Sequence, residues 1–108
     1  MLNKQTTLYL YRGASSSIDF DFTHFNFVSD SKCIFTISSI CKNDKLLQLE
    51  FNESKKYTMI ISDEFTKNLK DNQYFYNIMY IVGEEKYPQC ADSDIIVRNI
   101  VNGTTNNN

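Results

Sequence analysis

The chain holds one histidine, His24, and a hydrolytic centre would need that imidazole beside a nucleophile, with a carboxylate to orient it. The sequence around His24 supplies no such set. His24 is therefore expected as a partly exposed residue at a strand end, and no catalytic residue is assigned. Asp19 and Asp21 stand two apart in a strand pattern, which puts both carboxylates on one face about 7 Å apart, a spacing that would suit a carboxylate pair or a cation. Their alternation with Phe20 and Phe22 is equally the pattern of a solvated strand face, which is the reading adopted. Asp92 and Asp94 read as turn residues. Cys33, Cys41 and Cys90 are odd in number and lack metal-ligand spacing, so they read as reduced, partly buried small residues. The glycines, Gly13, Gly83 and Gly103, lie too far apart to form a phosphate-cradling loop. Neither a metal site nor a cofactor is expected.

Tyrosine is the residue type left to weigh. Tyr9, Tyr11, Tyr74, Tyr76 and Tyr80 are the interface candidates: gathered on one exposed sheet they would form a platform for protein docking or for stacking against a glycan, since each ring offers apolar area with a polar tip. The competing reading places them in the layer between two sheets and at strand ends. Exposed β-edges unguarded by proline offer another route to a neighbouring subunit.

The elements that must position these residues follow from hydrophobic period. Lys55 to Val82 organises the rest. Tyr57, Met59 and Ile61 alternate with Thr58, Ile60 and Ser62 as a half-buried strand does. Ser62 or Asp63 then caps a short helix, with Asp63 and Glu64 at its positive end, Lys67 and Lys70 at its negative end, and Phe65 and Leu69 on one side to plug the core. After the turn at Asp71-Asn72, Tyr74 to Val82 is apolar on both faces and reads as a central strand. Upstream, Thr6 to Arg12 is a first strand, and Gly13 to Ser16 breaks it. Ile18, Phe20 and Phe22 mark a second strand that continues weakly through Phe25 and Phe27. Lys32 to Ile40 is a third strand, and Leu47 to Phe51 a fourth. Downstream, Gly83 to Lys86 reads as a hairpin loop, Tyr87 to Cys90 as an edge strand or loop around Pro88, Asp92-Ser93-Asp94 as a turn, and Ile95 to Val101 as the last strand.

One hundred and eight residues make one domain, which buries roughly 60–70% of the surface its unfolded form exposes. Eight Phe, seven Tyr and abundant Ile favour strands. The expected fold is an all-β, two-sheet, immunoglobulin-like sandwich of seven or eight strands with one short helix, spanning residues 1–102, followed by a disordered polar tail at 103–108. A net charge of −2 with scattered lysines leaves no footprint for nucleic acid. The opening residues lack the apolar core of a signal peptide, and no run is long enough to span a membrane, so a soluble protein made in a cytoplasm is expected.

Several segments, taken in order, resemble small β-sandwich domains of tailed bacteriophages, the nearest kind being the N-terminal domain of siphophage upper-baseplate proteins. They are Arg12-Gly13, the alternating IDFDF, the run ISDEFTKNL, the aromatic QYFYNIMYI and the closing IIVRNIV. Thr66, Leu69, Tyr74, Tyr76, Asn77 and Ile78 fall on the core pattern, while Asp71-Asn72-Gln73 stands where the family has a glycine. The resemblance runs from about Tyr9 to Val101. It implies a non-enzymatic virion protein, made in a bacterial host cytoplasm, that assembles with other virion proteins and with its own copies. The alternative is a glycan-binding adhesion module.

Overall fold

The computed structural model describes residues 7–40, 45–70 and 73–99. Within them the chain forms β1 (Leu8–Arg12), β2 (Ser16–Asp21), β3 (Ser31–Ser39), β4 (Lys45–Phe51), β5 (Lys56–Ile61), the helical turn α1 (Asp63–Thr66), β6 (Tyr74–Val82) and β7 (Glu85–Asn99). Five strands make a mixed sheet in the order β1-β7-β6-β3-β4, and β2 pairs with β5 in a second, smaller sheet. Neighbours are antiparallel except β1 and β7, which run parallel from Leu8 beside Ile95 to Arg12 beside Asn99. The all-β class read from the sequence is thus observed. The expected turn at Asp71-Asn72, Cys41, Asn43-Asp44 and the tail at 103–108 lie outside the described residues.

The two-residue period delivers the core. Ile18 and Phe20 of β2 and Met59 and Ile61 of β5 are buried, while Asp19 and Ile60 between them face out. Opposite them, the larger sheet contributes Leu10, Phe35, Ile37, Tyr76, Ile78, Ile95 and Val97. Rings join the two layers: the Phe20 centroid lies 5.3 Å from Phe35 of β3 and 4.9 Å from Phe51 of β4, and Tyr57 of β5 lies 4.7 Å from Phe51. Such centroid separations suit edge-on and tilted aromatic pairs.

Three local departures from the sequence reading have physical causes. First, β2 stops at Asp21, whose carboxylate accepts the Thr23 hydroxyl at 2.6 Å and the Thr23 backbone N–H at 3.0 Å, an Asx-type turn that ends the ladder. Phe25 and Phe27 then lie in a loop, their rings packed on Phe22 and Tyr80. Second, the hairpin after β6 needs only Gly83-Glu84, because Gly83 takes a φ of 58° that a two-residue turn of the primed kind requires at its first position. Third, Asp92-Ser93-Asp94 is not a turn. Those residues belong to β7, a strand of fifteen residues whose pairing with β6 slips between Tyr76 and Ile78 and again between Ile78 and Met79. Each slip is an extra residue on β7, and Pro88 is accommodated at one of them.

α1 forms as expected at its start, with the Ser62 side chain accepting the Phe65 N–H at 3.2 Å, but it lasts four residues and carries no basic residue in its last turn. It closes the gap between the sheets. The fully buried Thr66 hydroxyl lies 2.9 Å from the Ala14 carbonyl and 3.2 Å from that of Asp63. The Arg12 guanidinium donates to the Leu69 carbonyl at 3.0 Å and to the Asn99 side chain at 2.9 Å, so one residue ties β1 to both the corner and the last strand.

Candidate functional site

The five tyrosines do not form one platform. Tyr74 and Tyr76 are buried on the inner face of β6, where Tyr74 accepts the Lys70 N–H at 2.9 Å through its hydroxyl and Tyr76 packs 5.6 Å from Phe35. Tyr80, on the same face, is half-buried between Phe25, Phe27 and Tyr87. Three of the five therefore stabilise the fold rather than a surface. Tyr9 and Tyr11 are exposed on the outer face of β1, where Arg98 lies 5.1 Å from the Tyr9 ring centroid.

That outer face continues across the whole five-stranded sheet and is the candidate site. Strand parity puts Ile34, Thr36 and Ser38 of β3, Phe75, Asn77, Met79 and Ile81 of β6, and Ile96 and Arg98 of β7 on it. Its middle is a shallow trough of ≈ 270 Å³. Thr36 and Ser38 form the floor, buried although they point away from the core, because larger neighbours rise around them. Gln48 donates to the Thr36 hydroxyl at 3.2 Å, and the Asn77 amide donates to Asp92 at 2.9 Å across the slip in β7. Half-buried Ile34, Phe75, Met79 and Ile81 supply apolar area, while Lys45, Lys86 and the Lys32–Glu50 pair at 3.5 Å supply a charged rim. An apolar centre with hydrogen-bonding groups and a charged border is the make-up of a protein-docking surface. The Tyr-based expectation missed the β6 residues of this face. Their signal was present in the observation that β6 is apolar on both sides.

The other sequence candidates do not converge. His24 is exposed in the turn after β2. Asp19 accepts the Thr58 hydroxyl at 2.9 Å and Asp21 accepts from Thr23, whose side-chain and backbone hydrogen bonds hold the Asp21 carboxyl below its ordinary range. Each carboxylate is thus engaged by a hydroxyl in its own strand pair or turn. Among the described residues no three His, Cys, Asp or Glu side chains gather closely enough to hold a metal ion. Cys33 is buried, and burial pushes its thiol up to about 11, which keeps it protonated and unreactive at neutral pH. No described helix is long and apolar enough to cross a membrane.

No protein-family model matches this chain, and no curated protein matches it.

Proposed function

We propose that this chain is a non-enzymatic assembly module of a phage virion, an immunoglobulin-like sandwich that packs against neighbouring subunits in a baseplate, neck or fibre attachment. The observation that carries the assembly reading is the outer face of the five-stranded sheet, which keeps Ile34, Phe75, Met79 and Ile81 partly open to solvent beside a charged rim. Weak contacts through such a face become strong when copies are repeated in a ring or hub. The virion reading draws on the sequence resemblance, whose pattern residues Thr66, Leu69 and Tyr74 build the corner between β5 and β6.

Several features support the immunoglobulin-like reading. The order β1-β7-β6-β3-β4 facing β2-β5 corresponds to a variable-type front sheet over a reduced back sheet. Phe20 on β2, Phe35 on β3 and Tyr76 on β6 occupy the strands where antibody domains place their disulfide and tryptophan. Tyr74 stands two residues before Tyr76 and bonds back to the Lys70 N–H, in the manner of a tyrosine corner.

Sedimentation equilibrium tests the assembly reading. The average mass should rise above the 12.6 kDa of one chain as concentration increases, and Met79→Lys should reduce that rise. A strictly monomeric protein at about millimolar concentration would count against it. The polar trough favours a second reading, a glycan-binding module, because Thr36, Ser38, Gln48 and Asn77 offer hydroxyl and amide groups in one depression. Flat thermal shifts across a glycan panel would remove that alternative.

A further inference from the structure

Away from the outer face, the smaller sheet leaves one edge open that fits a second copy of itself. Among the described residues β5 pairs only with β2. The Phe22 N–H donates to the Lys55 carbonyl at 3.0 Å, and the alternation of an antiparallel ladder then turns the peptide groups of Tyr57, Met59 and Ile61 towards β2. Those of Lys56, Thr58 and Ile60 point the other way, where no described strand pairs with them. Tyr57 of β5 rests on Phe51 of β4, a strand whose Leu47 and Leu49 are only half-buried.

The edges of β7, β4 and β2 are guarded, and β1 is the shortest of the strands at five residues. The uncovered part of β7 carries Pro88 and two register slips, and the β4 ladder slips between Ile37 and Ser38. β2 carries Asp19 and Asp21, which would meet like charges in a symmetric pairing. β5 has no proline, no slip in its ladder and no acidic residue. Its Ile60 is 64% exposed, the highest value among the exposed large apolar side chains of the described residues.

We propose that two copies of this chain pair antiparallel through the open edges of β5, about a two-fold axis at Met59, to make a continuous sheet β2-β5-β5-β2. The charge pattern selects this occupant. Lys55 and Lys56 precede the strand's apolar middle and Asp63, the first residue of α1, follows it, so antiparallel pairing brings the basic end of each copy to the acidic helix start of the other. In that register Thr58 stands opposite the partner copy's Ile60, and the outward peptide groups of both are satisfied together. The inference rests on the assembly reading only in requiring that copies meet, and it does not depend on what covers the outer face.

The test combines mass and cross-linking in the full chain. Ile60→Lys, on an exposed side chain, should leave the thermal midpoint within a few degrees of the unsubstituted protein and abolish the concentration-dependent doubling of mass, while Met79→Lys should leave a dimer. Under mild oxidation an equal mixture of Thr58→Cys and Ile60→Cys proteins should give a heterodimer disulfide in several-fold excess over either protein alone, with the unsubstituted chain as the control for native thiols. If self-association survives Ile60→Lys and the mixture gives no excess of heterodimer, the β5 pairing is wrong and assembly through another surface stands. If the unsubstituted protein is monomeric at about millimolar concentration, both the pairing and the assembly reading fall.

Discussion

Phe20 touches Phe22, Phe35 and Phe51 at centroid distances of 6.3, 5.3 and 4.9 Å, and is 1% exposed, so it is a residue through which the smaller sheet grips the larger. Replacing it by alanine removes its ring contacts with β3, β4 and Phe22 and should cost about 3–5 kcal/mol, read as a lowered urea midpoint. That is a large part of a typical total of about 5–15 kcal/mol, and Phe20→Asp should leave no folded protein by circular dichroism. Cys33 makes a prediction in pH. The unfolded chain ionises this thiol near its ordinary value of 9.0, whereas the native protein holds the proton until about 11. The thiol's contribution to stability is therefore complete below about pH 9 and disappears as pH rises to about 11. Urea midpoints of the unsubstituted protein and Cys33→Ala should accordingly converge across that interval, and a constant gap would show that burial does not shift the thiol. At this scale the sequence was informative about burial: Ile18, Phe20 and Phe22 were legible as inward from their period alone.

Between β5 and β6, the capped turn of α1 was legible because Ser62, Asp63 and Glu64 stand together ahead of Phe65, and each local preference agrees with the fold. What Thr66 does there was not legible, since its partner Ala14 is distant in the chain. Thr66→Val keeps the shape, removes the hydroxyl and leaves the Ala14 carbonyl without that donor. It should destabilise by about 1–3 kcal/mol in urea unfolding, and an unchanged midpoint would mean that the buried hydroxyl contributes nothing. β7 shows why element boundaries fail. Asp92-Ser93-Asp94 has the composition of a turn, yet an extra residue on β7 inverts the parity so that Ser93 faces the core opposite Tyr76 while Asp92 reaches Asn77 outside. A polar triplet is thereby consistent with a strand, and composition alone gives no sign of the slip.

Across the whole molecule, the pairing order was the least legible property, because β1 and β7 close the sheet from opposite ends of the chain and nothing local specifies a parallel partner. The proposed docking face was half-legible for the same reason: Tyr9 and Tyr11 reach it, but strand order decides which face of β6 joins them. Dependence on such distant pairing predicts folding in milliseconds to seconds rather than microseconds, followed by tyrosine fluorescence since the chain has no tryptophan. A sub-millisecond phase accounting for the full amplitude would contradict it. The parallel clasp of β1 and β7 has a further consequence. A load applied between Leu8 and Asn99 draws the two strands lengthwise past each other, so their shared hydrogen bonds and the Arg12–Asn99 contact resist together instead of peeling apart one by one. Tugged along its own thread, this small protein should behave as a shear-bearing link.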